Sequence, residues 1–144
     1  MRVVLDATVL VSALLSRTGR PAELVRRWLE GDIDLVLSER LLDEIERTLR
    51  SPKLRGRLRD DEVERFVATL RDLGDVVPDP DEPPPVRSPD PDYDYLLALA
   101  ARERTPLVTG DRHLLGLADR APVYSPADFE RCSSDDAGAS TPRC

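Results

Sequence analysis

The sequence has few cysteines, lysines and histidines. Its two cysteines, Cys132 and Cys144, both lie in a polar C-terminal segment. We therefore expect no disulfide framework, and a zinc site is expected even less. Lys53 is the only lysine and the chain has a single histidine, so a catalytic lysine is excluded everywhere else.

Long hydrophobic runs and targeting signals are also missing. No apolar run reaches the roughly 18 residues that a membrane span needs. The first residues lack the basic region, the apolar stretch and the cleavage site of a signal peptide. A length of 144 residues with 40% hydrophobic content fits one domain with its own core. We expect a cytoplasmic protein that does not contact a membrane.

Short apolar strands alternate with amphipathic helices along the chain. The first strand is predicted to end near Asp6. Four further strands are predicted at residues 33–37, 75–78, 106–109 and 122–124. The helices are predicted at residues 9–15, 21–29, 39–49, 60–73, 92–101 and 112–117. This alternation predicts an α/β fold, with a mostly parallel sheet of four or five strands flanked by helices.

Two segments do not fit the alternation. Residues 78–91 contain seven prolines, which exclude a regular helix or a central strand and predict a loop within the domain. Residues 131–144 show no periodicity and little apolar content. We therefore predict a folded domain over residues 1–130 and a disordered tail over residues 131–144.

A net charge of −7 argues against a nucleic-acid partner for the chain as a whole. Residues 47–59, however, carry several arginines and one lysine with no acid among them. Arg50, Arg55 and Arg57 in this segment could bind RNA phosphates. The alternative is a solvated surface whose acidic partners lie elsewhere in the fold.

Acidic residues follow two of the predicted strands. Asp6 ends the first strand and Asp111 follows the strand at 106–109. If these strands are parallel neighbours, both carboxylates enter one cleft, because open α/β sheets bind ligands at the carboxyl ends of their strands. Asp94 opens an apolar helix, and Glu44 and Glu46 flank the apolar stripe of another. Periodicity does not choose between these two glutamates, and each acid taken alone could be a helix cap or a surface residue.

A cluster of carboxylates without histidine, cysteine or lysine selects hard cations. Mg²⁺ and Mn²⁺ prefer oxygen ligands, whereas zinc prefers nitrogen and sulfur. Such an ion neutralises the crowded charges, and it can also activate water and stabilise a phosphoryl transition state. The cluster therefore predicts phosphodiester chemistry.

Four stretches, at residues 6–14, 38–49, 90–100 and 107–115, resemble the acidic motifs of the PIN domain family. The nearest branch contains the VapC-type toxins of toxin–antitoxin pairs. The resemblance covers the chain to about Phe129 and implies a PIN-like three-layer fold. It also implies an endoribonuclease that depends on Mg²⁺ or Mn²⁺ held by Asp6, Glu44, Asp94 and Asp111, and so favours Glu44 over Glu46. An RNA substrate, a cognate antitoxin and a homodimer are the expected partners.

One departure from the family pattern concerns the site itself. The chain has Asp6-Ala7-Thr8 where the family usually has Asp-Thr-Asn. A threonine hydroxyl replaces only part of what an asparagine amide offers as donor and acceptor. Thr109 matches the family, and we expect Thr8 and Thr109 to support the acidic cluster.

Rival folds are less compatible with these residues. A haloacid-dehalogenase-like phosphatase needs a second aspartate where Thr8 stands, and both it and a response-regulator receiver need a lysine that is absent from the required place. A dinucleotide-binding domain would show a glycine-rich turn after the first strand. The main alternative is a catalytically weak or inactive PIN-fold module that binds RNA or protein.

Overall fold

The computed structural model of the chain describes residues 1–135, and a five-stranded sheet lies at its centre. The strands are β1 (Arg2–Leu5), β2 (Asp34–Leu37), β3 (Asp75–Val76), β4 (Leu107–Val108) and β5 (Val123–Tyr124). They stand in the order β3-β2-β1-β4-β5, and every neighbouring pair is parallel. The predicted α/β class with a parallel sheet is confirmed.

Helices connect consecutive strands. They are α1 (Ala7–Leu15), α2 (Arg20–Leu29), α3 (Glu39–Leu49), α4 (Asp60–Leu73), α5 (Asp94–Glu103), α6 (Arg112–Leu115) and α7 (Pro126–Asp135). The strand order runs outward from β1 in one direction through β3 and in the other through β5. With right-handed crossovers, the helices of the two halves cover opposite faces of the sheet.

Burial explains why the central strands are apolar throughout. Val3, Val4 and Leu5 of β1 are completely buried, because helices cover both faces of a parallel sheet. Helix α1 packs against α2 and α3, and α5 packs against β1 and β4. The buried residues form one continuous core over the sheet.

Side-chain caps fix where three of the helices begin. Asp6 caps α1, Ser38 caps α3 and Asp111 caps α6, each by accepting a hydrogen bond from a backbone N–H of the first turn. Helix α1 begins directly after Asp6, two residues before the predicted start at Val9. Strand β1 and helix α1 are therefore joined by the single residue Asp6, whose carboxylate lies at the carboxyl end of the sheet.

The proline-rich segment is a loop, as predicted. Residues 77–90 contain no helix or strand, and a short 3₁₀ helix (Pro91–Tyr93) then leads directly into α5. This 3₁₀ helix places Tyr93 and Asp94 at the start of α5.

The C-terminal segment differs from the prediction. Helix α7 continues to Asp135, so a disordered tail starting at residue 131 is wrong for residues 131–135, and residues 136–144 lie outside the described part. Phe129 and Cys132 are buried one helical turn apart. A proline at the first helical position followed by apolar residues three apart was the signal for this helix.

Among residues 1–135, no helix is both long enough and apolar enough to cross a lipid bilayer.

Candidate active site

The sheet has a topological switch point between β1 and β4. Chain connections leave these neighbouring strands in opposite directions, which opens a crevice at their carboxyl ends. Leu5 pairs with Val108 in the register, and the Asp6 N–H donates to the Val108 carbonyl at 2.9 Å. Asp6 and Thr109 are therefore side by side at the mouth of this crevice.

Asp6 is buried, with 2% of its surface exposed, and its carboxylate accepts three hydrogen bonds. The Thr109 hydroxyl donates to Oδ2 at 2.6 Å, and the Thr8 hydroxyl donates to the same oxygen at 3.2 Å. The Thr8 N–H donates to Oδ1 at 3.4 Å. These donors offset the cost of removing the carboxylate from water and hold it in one orientation.

Thr109 links the two strand-end carboxylates. Its Oγ1 donates to Asp6 and accepts a hydrogen bond from the Asp111 N–H at 3.0 Å. The Asp111 carboxylate in turn accepts from the Leu114 N–H at 3.1 Å. Thr8 and Thr109, predicted as supporting residues, are thus both in contact with the acidic cluster.

Tyr93 lines the same cleft as Asp6. Burial raises the pKa of Tyr93 to about 12, with the negative charges of Asp111 and Asp6 adding to the effect. The phenol is therefore neutral at physiological pH.

The carboxylate of Asp94, the next residue, makes its contacts outside the cleft. Its Oδ1 accepts from the Ser88 N–H at 2.8 Å, and its Oδ2 lies 3.4 Å from Arg87 Nη1. Both partners belong to the proline-rich loop. Asp94 fastens that loop to the start of α5 and is not among the residues that line the cleft.

The opposite wall of the cleft comes from α3. Arg40, Glu44 and Arg47 share one face of this helix, because residues four and three apart lie on the same side. Glu44 is half-exposed, and its carboxylate lies 3.5 Å from Arg47 Nη1. Arg40 covers the ring of Tyr95 at 4.3 Å from the ring centroid. Burial raises the pKa of Tyr95, and the negative charges of Glu44 and Asp6 raise it further. This phenol is therefore neutral as well.

Together these elements enclose a cleft of about 360 Å³. Its lining is mixed in charge and contains two aromatic rings. The lining residues are Asp6, Ala7, Thr8, Arg40, Glu44, Arg47, Thr48, Asp90, Asp92, Tyr93 and Tyr95.

The predicted metal ligands do not assemble into an ion-binding group. Among the described residues, no three acidic, histidine or cysteine side chains are placed to hold a metal ion together. Asp6 and Asp111 are joined through Thr109, Glu44 is on the far wall beside Arg47, and Asp94 faces the loop. As arranged here, the four carboxylates do not fit a shared divalent ion.

The arginines predicted to bind RNA lie beyond the cleft. Arg50 is occupied by Glu46 at 3.2 Å and Asp60 at 3.4 Å. Arg55 and Arg57 are exposed on the turn that follows α3. None of the three lines the cleft, whereas Arg40 and Arg47 do.

Arg40, Arg47, Tyr93 and Tyr95 line the cleft but were not among the predicted site residues, although Arg47 belongs to the basic segment at residues 47–59. Arg40 and Arg47 could have been found from their helical spacing to Glu44. Tyr93 and Tyr95 lie inside the acidic stretch at residues 90–100, but which of these neighbours faces the cleft depends on the 3₁₀ helix. That helix is a feature of three residues that periodicity does not detect.

Comparison with known proteins identifies one family. The sequence matches the PIN domain family over residues 2–113, from the first strand to the start of α6. No curated protein matches the chain. PIN domains are generally nucleases and generally use divalent metal ions. Because the match spans most of the sequence and includes both strand-end carboxylates, the chain belongs to the PIN domain family.

Proposed function

We propose that this protein is an endoribonuclease of the toxin–antitoxin type, with the cleft between the start of α1 and α3 as its active site. One observation carries the proposal. Asp6, which Thr109 links to Asp111 at the topological switch point, lines a cleft whose opposite helix wall presents Arg40 and Arg47. Acidic groups beside arginines are suited to a phosphodiester, since the arginines bind the phosphate and the carboxylates act on water.

The arginines would position the substrate. Guanidinium groups bind phosphate oxygens through paired N–H donors, and Arg47 is 75% exposed at the rim of the cleft. Tyr95 and Arg40 form a stacked pair on the same wall. An RNA backbone held there would lie with a phosphate above the strand ends.

Asp6 would orient the attacking water. The Thr8 and Thr109 donors fix its carboxylate, so that its remaining lone pairs have a defined direction. A carboxylate in that position can accept a proton as water attacks phosphorus. Asp111, held by Thr109 and by the first turn of α6, would stand beside it.

The predicted dependence on Mg²⁺ or Mn²⁺ stays a prediction. A bound ion would neutralise charge and activate water. The described carboxylates do not form a group that could hold one.

Cleavage of RNA tests the proposal. A labelled single-stranded RNA of mixed sequence is incubated with the parent, with Asp6→Asn and with Asp119→Asn, in Mg²⁺, in Mn²⁺ and in EDTA. We expect cleavage by the parent and by the control Asp119→Asn, whose side chain is 79% exposed, and loss of at least about a hundredfold in Asp6→Asn. Equal cleavage by all three proteins would show a contaminating nuclease, and the proposal would fail.

A second function is favoured by the position of Tyr93. A neutral phenol in the lining of the cleft that holds Asp6 suits an RNA- or protein-binding module with weak or no catalysis. Fluorescence anisotropy with the same RNA separates the two functions. Binding without cleavage under any metal condition would identify the binding module, and cleavage lost in Asp6→Asn with binding retained would identify the nuclease.

The partners follow from the same proposal. The resemblance to toxins supports a cognate antitoxin and a homodimer. Sedimentation velocity of the purified chain measures the homodimer directly, and a single monomeric species at tens of micromolar would contradict it.

A further inference from the structure

One guanidinium group in the cleft rests on an aromatic ring. The Cζ atom of Arg40 lies 4.3 Å from the centroid of the Tyr95 ring, and both residues line the cleft. Tyr95 is only 9% exposed and belongs to the hydrophobic core, so its ring is a fixed support. Arg40 itself is exposed. Its guanidinium therefore has one side against a buried ring and another side open to the cleft.

The side chain of Arg40 is not neutralised by an acid. Among residues 1–135 its guanidinium forms no ion pair, whereas Arg47 on the same wall is paired with Glu44. The backbone N–H of Arg40 donates to the Asp79 carboxylate at 3.3 Å, and this contact fixes the start of α3 without using the side chain. The guanidinium is thus available to a ligand.

The charge of the cleft favours a neutral group on Arg40. Four carboxylates and two arginines line the cleft, so a phosphate additional to the one that reacts would meet a net negative charge. A nucleobase is neutral and planar, and guanidinium planes stack on unpaired bases. The cleft volume of about 360 Å³ lies in the range of pockets that enclose small molecules.

We propose that Arg40 and Tyr95 form a subsite for one unpaired base of a single-stranded RNA, in which the base stacks on the open side of the Arg40 guanidinium. The inference rests on the proposed function, because it takes RNA as the ligand, and it adds the kind of RNA that is recognised. Bases inside a duplex are already stacked on their neighbours and do not enter such a subsite. Arg40 determines specificity here, and Tyr95 is a positioning residue that acts through Arg40.

Fluorescence anisotropy in EDTA tests the subsite. The probe is a short single-stranded RNA of adenines, in which each position in turn is replaced by an abasic nucleotide. We expect that removing the base at one position weakens binding to the parent by at least about fivefold, because base stacking contributes strongly to the binding of single strands. In Arg40→Lys the same removal should change affinity by less than about twofold, since an ammonium group has no plane on which a base can stack.

Three comparisons separate stacking from charge and from folding. The slope of log affinity against log salt should be the same in Arg40→Lys as in the parent, because the charge is kept. The control Arg57→Lys makes the same change at an exposed position outside the cleft and should keep the full response to base removal. Tyr95→Phe keeps the ring and should behave as the parent, whereas Tyr95→Leu, if folded by circular dichroism, should lose the response.

Four results would overturn the proposal. They are a parent without any position at which base removal matters, an Arg40→Lys variant with the full response, an Arg57→Lys variant that loses it, and a folded Tyr95→Leu that keeps it. If the parent binds RNA through this subsite but does not cleave it under any metal condition, the proposed nuclease fails and the subsite stands. If the parent cleaves RNA with no effect of Arg40→Lys on base recognition, the nuclease stands and the subsite fails.

Discussion

At the scale of one residue, hydrogen bonds stabilise the buried carboxylate of Asp6. A buried carboxylate without partners would cost several kcal/mol, yet Asp6 is almost fully enclosed. Three donors from Thr8 and Thr109 satisfy it. The two threonines therefore contribute to the stability of the fold as well as to the geometry of the site.

Thr109→Val should destabilise the protein. The change keeps the shape of the side chain but removes the 2.6 Å donor to Asp6 and leaves the Asp111 N–H without its acceptor. We expect a loss of about 1–3 kcal/mol in the free energy of unfolding, measured by urea titration.

Thr69→Val is the matched control for this substitution. Its hydroxyl donates to the Arg65 carbonyl within α4, on the protein surface. The expected change is within about 0.5 kcal/mol. Equal effects of the two substitutions would mean that Thr109 does not hold Asp6 in place.

Asp94→Asn should lower the melting temperature of the metal-free protein. The carboxylate bonds the Ser88 N–H, pairs with Arg87 and stands at the N-terminus of α5, where negative charge is favoured. We expect a loss of about 1 kcal/mol by thermal melting in EDTA. A higher melting temperature than the parent would instead show that Asp94 is repelled by the other carboxylates.

Helix α7 illustrates a contribution at the scale of an element. It packs on α2 and β5, beyond the residues matched to the PIN family. Phe129 is completely buried and meets Tyr124 edge to face, with ring centroids 6.3 Å apart. Arg27 of α2 also donates to Ser133 at 2.9 Å. The helix therefore belongs to the folded domain.

Phe129→Ala should cost about 3–5 kcal/mol, because it leaves a cavity between α7 and β5. Urea unfolding measures the loss, and Leu73→Ala at an exposed position of α4 should change stability by no more than about 0.5 kcal/mol. If both variants unfold at the parent's midpoint, α7 does not contribute to the core.

At the scale of the whole molecule, a net charge of −7 coexists with a cleft that presents arginines. Most arginines of the described surface are paired with acids, as Arg71 is with Glu39 and Arg59 with Asp61. Arg47 in the cleft is also paired, with Glu44 at 3.5 Å, so pairing alone does not distinguish the arginines. The position of an arginine relative to the cleft therefore matters more than the total charge.

If RNA binds in the cleft as proposed, arginines in the cleft should bind it more strongly than arginines outside. Replacing Arg40 and Arg47 together by serine tests this expectation. RNA affinity should fall, and the slope of log affinity against log salt should decrease by about one unit for each lost phosphate contact. Replacing Arg55 and Arg57 together is the control, since both are exposed outside the cleft. A change of slope in the control alone would place the RNA on the turn after α3.

The periodicity of the sequence determined most of the fold. Apolar runs of about five residues and helical stripes such as those of α3 and α4 predict the strands, the helices and the parallel sheet, because burial on both faces imposes these patterns directly. The carboxylates that follow β1 and β4 were also visible, since a strand end can be read from where the apolar run stops. Helix α7 was missed because a polar composition concealed its two buried apolar positions, Phe129 and Cys132.

Tertiary structure alone decided which side chains meet. Asp94 and Tyr93 are adjacent in the sequence, yet Asp94 bonds to the proline-rich loop and Tyr93 lines the cleft. Arg40 and Arg47 line the cleft only because α3 packs against α1 and α4 in one particular rotation. Contacts between distant segments depend on how elements rotate and pack, and no local pattern of residues encodes that rotation.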